Sequence, residues 1–377
     1  MVDFHRDVYC LLGLPFDAVD MAGAVRCVRE AALQRVPCFL STPNLNFLIG
    51  CRADSEFRDS VINSDVSIAD GMPLVWLARL LGIPIRQRVA GSDLFEQLGK
   101  DSTAPMKVYF FGGMAGVAAT ACARLNEVAP GLACVGFESP GFGSVAAMSG
   151  DETIAKINAS GADFLVVSLG AKKGQAWIEH NRARITAPVI SHLGAVLNFI
   201  AGTVNRAPAL LQKSGLEWLW RIKEEPALWR RYFGDGVALL QLLTTRVIPY
   251  AWFLQRHRPH ADELAMASAE TTEESHRCVV VLRGAWTQQN IGPLRDCFAS
   301  AVLTGKDVRL EMGAVTYVDS AFIGLLTLLH GHQTQHHRQL LIVSPQEPVR
   351  RVIRYCCAEY LCMGTEFLES ELSGDPA

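Results

Sequence analysis

Short apolar runs alternate with helix-length amphipathic stretches over about the first 205 residues of the chain. Apolar runs that predict buried strands lie at 38–40, 66–68, 108–111, 164–167 and 189–190. Amphipathic stretches between them, such as 116–128 and 173–184, predict helices. Because strands that alternate with helices form βαβ units, the pattern predicts an α/β fold with a Rossmann-like, mostly parallel sheet.

A second α/β pattern occupies the C-terminal part of the chain. Strands are predicted at 278–282, 308–312 and 340–343, and helices at 293–303 and 320–330. The preceding residues, PHADELAMASAETTEES, are small and polar and predict a linker. The predicted organisation is therefore a first domain at 1–205, an appendage at 206–258, a linker at 259–275 and a small α/β domain at 276–370.

The appendage is basic and aromatic. It contains four of the seven tryptophans, and nine Lys and Arg against four acids give it a net charge of +5 in a chain of net charge −3. Aromatic and basic residues suit an anionic bilayer surface, although the same residues could simply pack a helix on the core. Polar residues and Pro249 interrupt the apolar run 237–254, so the sequence predicts an interfacial rather than a spanning segment.

Composition narrows the class of protein. The net charge of −3 gives no reason to expect nucleic-acid binding. Eleven cysteines occur without a C-x-x-C pair, which fits a reducing cytoplasm better than a disulfide framework and argues against a Cys/His zinc site. The N-terminus lacks the pattern of a signal peptide, so a cytoplasmic protein is expected.

Polar residues follow the predicted strand at 38–40. Thr42 and Asn44 would lie at a strand end, where ligands of parallel sheets bind. The alternative is that they cap the next helix, since Ser, Thr and Asn are favoured at that position.

Asp70 follows the next strand, beside Gly71. A carboxylate at a strand end can act as a general base on an acceptor hydroxyl, or it can cap the following helix. Arg88, eighteen residues later, can brace a diphosphate through bidentate contacts, or it can pair with a surface acid.

Two further strand ends carry candidate anion-binding groups. Gly112 and Gly113 form a turn before a helix, where backbone N–H groups can meet a phosphate, although such turns often serve only packing. Gly170, Lys173 and Gln175 follow the strand at 164–167. Since the chain has no D-x-D carboxylate pair, we expect no metal and no other cofactor, with phosphate charge met by cationic side chains and backbone amides.

These segments together resemble the WecG/TagA/CpsF glycosyltransferase family. The motifs run in order over about the first 235 residues: STPNLNF, ADGMPLVW, RVAGSDLF, FFGGMAGVA, SLGAKKGQAWI, LGAVLNFIAGTVNRAP and GLEWLWRIKEEPALWRRY. The resemblance implies a metal-independent, inverting enzyme at the inner face of the cytoplasmic membrane. It would move a sugar of the N-acetylmannosamine or glucose type from a UDP-sugar to an undecaprenyl-diphosphate-linked acceptor in exopolysaccharide or surface-glycan synthesis.

The resemblance also assigns roles to residues. Asp70 matches the proposed catalytic base, Thr42 and Asn44 match the polar pair of the active site, and Arg88 matches an arginine that stabilises the departing diphosphate. The basic tail of the family matches residues expected to close the site and meet the lipid diphosphate, namely Arg221, Arg230 and Arg231. Arg206, within the LGAVLNFIAGTVNRAP motif, is a further predicted substrate contact.

One motif departs from the family pattern. The family commonly reads G-x-P-K-Q-E where this chain has Gly-Ala-Lys-Lys-Gly-Gln, so Gly174 stands at the usual Gln position and Gln175 at the usual Glu position. Donor contacts there must differ, and the sequence therefore leaves the sugar open.

The C-terminal domain resembles a STAS domain through VVVLRGAWTQQNIGPLRDCF and VTYVDSAFIGLLTLL. Where phosphoswitching members have Asp-Ser-Ser/Thr-Gly, this chain has Asp319-Ser320-Ala321-Phe322, so Ala321 excludes the usual switch and Ser320 is a weak candidate. A protein partner for this domain is an open alternative.

Two other functions are alternatives for this sequence. One is an inactive nucleotide-sugar-binding homologue that acts as a scaffold through its STAS-like domain, against which the retention of Asp70, Thr42 and Arg88 argues. The other is an NAD-dependent oxidoreductase, against which the absence of a G-x-G-x-x-G fingerprint argues.

Overall fold

The computed structural model describes residues 2–100, 104–208, 210–211 and 215–362, so the end of the predicted STAS-like range, 363–370, lies outside the described residues. The chain forms two compact units. The first comprises Val19–Trp76 and Ile85–Leu239, and the second comprises Met1–Ala18, Leu77–Pro84 and Leu240–Ala377.

The secondary-structure elements are numbered in chain order. The strands are β1 Val8–Leu11, β2 Leu14–Asp17, β3 Cys38–Ser41, β4 Val66–Ser67, β5 Met106–Gly112, β6 Leu132–Glu138, β7 Phe164–Ser168, β8 Val189–His192, β9 Ser268–Glu273, β10 Arg277–Trp286, β11 Asp307–Val318 and β12 Leu340–Val343. The described α-helices are α1 Met21–Gln34, α2 Leu45–Ala53, α3 Ser55–Ile62, α4 Met72–Leu80, α5 Gly91–Lys100, α6 Val117–Val128, α7 Asp151–Ala159, α8 Ala171–Asn181, α9 Val196–Ala201, α10 Glu217–Glu224, α11 Trp229–Leu242, α12 Ile248–Arg256, α13 Ala261–Ala265, α14 Gly292–Leu303, α15 Ser320–Gln335 and α16 Glu347–Tyr355. A π-helical turn, Leu243–Val247, joins α11 to α12.

A six-stranded sheet forms the centre of the first unit, in the order β4-β3-β8-β7-β5-β6. Every pairing in it is parallel, which confirms the predicted α/β fold. Alternate residues of β5 enter two different cores: Val108 and Phe110 pack in one, Tyr109 and Phe111 in the other. The sheet is therefore covered on both faces, as a parallel sheet requires.

Strand β6 is an edge strand that the apolar pattern did not predict. Most of its residues are only half-buried, since it has a neighbour on one side alone. A half-exposed edge strand does not need the continuous apolar run by which the other strands were found.

The carboxyl ends of the parallel strands bring the candidate residues together. The N–H of Asp70 donates to the carbonyl of Pro43 at 3.0 Å, and the N–H of Val89 donates to the carbonyl of Ala69 at 3.0 Å. These bonds hold the segments after β3, after β4 and before α5 beside one another.

The second unit contains a four-stranded sheet in the order β12-β11-β10-β9. Strands β10, β11 and β12 are parallel, and β9 pairs antiparallel with β10. Residues 268–273 lie within the segment predicted as a linker, and that part of the prediction was wrong. The outer side of β9 is exposed, so small and polar residues are tolerated on it and the apolar signal of a strand is missing.

A hairpin from the start of the chain also belongs to the second unit. Strands β1 and β2 pair antiparallel, all eight of their residues are buried, and they pack against α15. A Cβ at Gly324 in α15 would lie 2.8 Å from the carbonyl oxygen of Val8, so glycine permits this close approach. The structure thus differs from the predicted first domain, because residues up to Ala18 cluster with the C-terminal unit.

Helix α15 explains why the hairpin is needed. It is apolar on all sides, and residues around its whole circumference are buried. A helix of this kind must be covered on every face. The sheet covers one side, and the chain's own N-terminal hairpin covers another.

The first turn of α15 carries the segment that resembles a phosphorylation switch. Asp319 caps the helix by accepting the N–H groups of Ala321 and Phe322 at 2.9 and 3.1 Å. Its second oxygen accepts the N–H of Gln288 at 2.9 Å. Ser320 is buried, so its hydroxyl is poorly placed for a kinase.

Cys122 and Cys134 form a disulfide between α6 and β6. The cysteine pattern predicted no disulfide framework, and the other nine cysteines form no disulfide among the described residues. The pair lies twelve residues apart, a spacing without a motif, so only the packing of α6 against β6 brings the two sulfur atoms together.

Within the described part of the chain, one helix, Pro226–Arg256, is long and apolar enough to cross a membrane by length and composition alone. Its C-terminal part belongs to the second unit, where Tyr250 and Phe253 are buried. The Tyr250 ring stacks on Tyr355, and the Phe253 ring lies tilted against it at 6.0 Å between centroids. One side of this part is therefore covered by protein.

Candidate active site

Thr42 and Asn44 follow β3. Thr42 is buried, and a Cβ at Gly91 would lie 3.2 Å from its Cγ2 atom, so the side chain packs against the start of α5. Asn44 caps α2: its Oδ1 atom accepts the N–H of Phe47 at 3.2 Å. The capping alternative is therefore observed for Asn44, and its substrate contact stays a prediction.

Asp70 lies just after β4 and shares the neighbour Gly91 with Thr42. Its Oδ2 atom accepts the N–H of Gly91 at 3.3 Å. Burial raises the pKa of Asp70 to about 6, while the Arg88 guanidinium and the Gly91 N–H oppose the rise and Glu217 adds to it. A carboxyl with such a pKa is mostly ionised at neutral pH and still basic enough to accept a proton, as a general base requires.

Arg88 pairs with two carboxylates. Its Nη2 atom lies 2.8 Å from Oδ2 of Asp93 in the first turn of α5, and its Nη1 atom pairs with Glu217 in the first turn of α10. Only 12% of the Arg88 side chain is exposed. Arg88 therefore pairs with acids, as the alternative prediction had it, but in a largely buried position. From there its guanidinium lowers the pKa of Asp70.

Arg206 extends this cluster. It pairs with Asp93 and Glu96 of α5, and its Nη2 atom donates to Ser92 Oγ at 3.2 Å. Arg221 of α10 lies over the Phe199 ring at 5.1 Å from its centroid and lowers the pKa of Asp70. The structure therefore brings Arg88, Arg206 and Arg221 together near Asp70.

Arg230 and Arg231 lie farther along, in the first turn of α11. Arg230 stacks over Trp229 and Arg231 over Tyr232, at 5.7 and 4.8 Å from the ring centroids. The structure does not place them in the cluster around Asp70, and their contact with a lipid diphosphate stays a prediction.

The glycine turn after β5 has a packing role. A Cβ at Gly112 would lie 2.4 Å from the carbonyl oxygen of Ser168, and the N–H of Gly113 donates to that oxygen at 2.9 Å. Both have positive φ angles. The N–H of Gly113 is thus used within the protein, and a role for this turn in binding phosphate stays a prediction.

The three candidate residues after β7 make different contacts. Gly170 is the N-cap residue before α8 and has a φ of 82°, and Lys173 donates from Nζ to the carbonyl of Gly143 at 3.0 Å. Gln175 is buried and donates from Nε2 to Ser41 Oγ at 2.9 Å. Of these three residues, Gln175 is the one that reaches the end of β3.

Sequence reasoning missed two residues of this region. Glu217 was counted only as one acid in a basic stretch, although it pairs with Arg88 across 129 positions. His192 is the last residue of β8, which lies between the strands that carry Thr42 and Gly170. A histidine two residues after the apolar run 189–190 was a signal for it.

Within residues 2–100, 104–208, 210–211 and 215–362, no cluster of three or more His, Cys, Asp or Glu side chains could hold a metal ion. The cationic groups of the site are its arginines.

Two curated proteins are similar to this chain. One is "N-acetylglucosaminyldiphosphoundecaprenol N-acetyl-beta-D-mannosaminyltransferase" of Bacillus spizizenii, 29% identical over 199 residues, 52% of this chain and 76% of that protein. The other, of the same name from Bacillus subtilis, is 25% identical over 234 residues, 61% of this chain and 89% of that protein.

Among solved structures, the anti-sigma factor antagonist SpoIIAA in its unphosphorylated form is similar to this chain. The match covers 29% of this chain and the full length of SpoIIAA, with 14% identity and a TM-score of 0.25. A family model for the STAS domain, "Mlab, STAS domain", matches residues 269–359. This match includes β9, which the structure places in the same sheet.

The model of the glycosyl transferase WecG/TagA/CpsF family matches residues 9–251, well over half of the chain. The matched range contains the strand ends that carry Thr42, Asp70 and Gln175, as well as the arginine cluster. The chain therefore belongs to the WecG/TagA/CpsF family of glycosyltransferases.

Proposed function

We propose that this glycosyltransferase moves a sugar from a UDP-sugar to an acceptor linked to undecaprenyl diphosphate, with inversion at the anomeric carbon and without a metal ion. The names of both Bacillus relatives describe transfer of N-acetylmannosamine to an N-acetylglucosaminyl-diphosphoundecaprenol. A donor of the N-acetylmannosamine or glucose type and a role in surface-glycan assembly follow as part of the proposal.

The observation that carries the proposal is the setting of Asp70. Its carboxyl lies at the carboxyl edge of a parallel sheet, where ligands of such sheets bind. The N–H of Gly91 orients one oxygen, and burial raises the pKa to about 6. A base is thus held beside a guanidinium that can receive the charge of a leaving diphosphate.

The reaction is a single displacement. Asp70 takes the proton of the acceptor hydroxyl as that oxygen forms a bond to the anomeric carbon. The bond between the anomeric carbon and the diphosphate oxygen breaks, and UDP leaves with the electron pair. Arg88 meets the charge that develops on the diphosphate, since a guanidinium binds phosphate oxygens in a bidentate manner. Thr42 lies beside the base and lines the acceptor side.

The proposed reaction uses no metal. Arg88, Arg206 and Arg221 form one cluster in which each guanidinium pairs with a carboxylate. In the proposed reaction the diphosphate displaces these carboxylates, and the arginines then stabilise its charge in place of a divalent cation.

We further propose that α11 attaches the protein to the inner face of the cytoplasmic membrane. Trp229, Phe233, Val237 and Leu240 recur at helical spacing on one side of α11 and are 52%, 68%, 54% and 63% exposed. The opposite side of the helix carries Asp235, which is buried and accepts Nδ2 of Asn46 at 3.4 Å. A helix with protein on one side and an apolar stripe on the other suits the plane of the interface better than a spanning position.

Membrane attachment yields a quantitative prediction. The double variant Phe233→Ser/Val237→Ser should bind vesicles of phosphatidylglycerol at least about tenfold more weakly, because each exposed apolar side chain contributes free energy when it leaves water. Sedimentation of protein with vesicles measures the effect.

The matched control is Leu33→Ser in α1, which removes an apolar side chain that is 74% exposed on a different helix. Its vesicle binding should equal that of the wild type. Equal binding by all three proteins would contradict attachment through α11.

The transferase activity is tested by UDP release from a panel of UDP-sugars with a polyprenyl-diphosphate-linked sugar acceptor, in the presence of a chelator. The panel contains N-acetylmannosamine, its uronic acid, N-acetylglucosamine, glucose and glucuronic acid. We expect acceptor-dependent release from one donor. If folded protein that binds vesicles released no UDP from any donor of the panel, the proposed transferase activity would be contradicted. A scaffold role through the STAS-like domain would then be favoured.

A further inference from the structure

The imidazole of His192 occupies an unusual position at the end of β8. Its side chain is buried, and it lies over two glycines. A Cβ at Gly174 would lie 2.1 Å from its Cδ2 atom, and a Cβ at Gly194 would lie 3.3 Å from its Nε2 atom. The ring therefore fills the space into which a side chain at position 174 would project.

This position matters because Gly174 stands where the family commonly has glutamine. The structure shows that the place is not empty: an imidazole from the neighbouring strand occupies it. His192 therefore brings a polar group from β8 to a place where the usual sequence brings one from α8.

Two polar atoms beside Gly174 lack hydrogen-bond partners in the described part of the chain. Nε2 of His192 and Oε1 of Gln175 are both buried, and neither has a hydrogen-bond partner among the described residues. Gln175 is held by Ser41 at the end of β3, and β3 pairs with β8. Because buried polar groups are almost always satisfied, these two atoms are the groups at this edge of the sheet with which a ligand could form hydrogen bonds.

The imidazole is neutral at physiological pH, since burial lowers the pKa of His192 to about 4. A neutral ring suits a neutral polar group better than a phosphate, and its Nε2 atom can donate or accept depending on the tautomer. The arginine cluster, by contrast, is suited to the diphosphate. The two parts of the site are therefore matched to different parts of a sugar nucleotide.

We propose that His192 binds a hydroxyl or acetamido group of the donor sugar through Nε2 and so helps to select the sugar. This inference rests on the proposed function, because it assumes a sugar nucleotide at this edge of the sheet. Gln175 contributes its free carbonyl oxygen to the same sugar.

The test compares the binding of UDP-sugars and of UDP by calorimetry, in the full chain. His192→Phe keeps a ring over Gly174 and removes the polar atoms. We expect it to weaken the binding of the preferred UDP-sugar roughly tenfold, the loss of about one hydrogen bond, while the affinity for UDP stays unchanged. His192→Gln should recover part of the loss, and His180→Phe, at an exposed position of α8, should behave as the wild type.

The outcomes separate the two proposals. Unchanged affinity for the UDP-sugar in His192→Phe, or an equal loss for UDP and the UDP-sugar, would overturn the role of His192 and leave the transferase intact. A wild-type protein that binds none of the UDP-sugars would overturn the proposed function itself. A ratio of kcat/KM between two UDP-sugars that changes in His192→Gln would support selection of the sugar.

Discussion

The Asp70→Asn variant should lose at least about 10²-fold in kcat, because a positioned general base contributes roughly 10²–10⁴-fold and an amide cannot take the proton. Donor binding should change little, since the introduced amide retains an oxygen that can accept the N–H of Gly91. UDP release at saturating donor and acceptor measures kcat, and calorimetry measures donor affinity.

The pH dependence identifies the same carboxyl. Its pKa is raised to about 6 and the ionised form is the base, so kcat/KM of the wild type should fall as the pH decreases through about 6. Asp70→Asn should lose this acidic limb.

The free energy of unfolding should show the opposite pH dependence to kcat/KM. A carboxyl whose pKa is raised by burial favours the folded state most when protonated, and this contribution is lost as the pH rises from about 4 through about 6. At pH 7 the Asp70→Asn variant should therefore be at least as stable as the wild type in a thermal melt. The control is Asp151→Asn, whose side chain is fully exposed and whose activity and pH profile should not change. An active Asp70→Asn protein would exclude Asp70 as the base.

Arg88→Gln should lower kcat by about 10²-fold, the usual cost of removing one group that stabilises charge in a transition state. Arg88→Lys should recover only part of it, because an ammonium cannot make the two parallel contacts of a guanidinium. Arg52→Gln, at an exposed position at the end of α2, is the matched control and should retain full activity.

Arg88 and Glu217 should also shift the acidic limb in opposite directions. The Arg88 guanidinium lowers the pKa of Asp70 and the Glu217 carboxylate raises it. Arg88→Gln should therefore move the limb to higher pH, and Glu217→Gln should move it to lower pH. A profile that moves the same way in both variants would contradict the observed cluster.

The local sequence predicted much of the first unit and little of its charge pairing. Apolar runs located five strands of the six-stranded sheet, because these strands are largely buried. They did not locate β6, which is half-exposed. The pairing of Arg88 with Glu217 joins residues far apart in sequence, and no local pattern encodes such a contact.

In the second unit the same distinction applies to β9 and to the hairpin. The sequence pattern of a polar edge strand resembles that of a linker. Strand β9 could not be recognised from it, because β9 is defined by its hydrogen bonds to β10 and not by burial. The sequence predicted a helix at 320–330, but only the fold shows that this helix is buried around its circumference and that residues 8–17 cover part of it.

The sequence by itself determined the α/β class, the order of the strand-end motifs and the membership of the chain in its family, because these depend on periodicity and on residue types at short spacing. The tertiary structure decided which role each motif residue takes. It showed that Asn44 caps a helix, that Gly113 bonds Ser168, and that His192 fills the space over Gly174. These contacts join residues from different strands and helices, and their energies depend on distances that only folding sets.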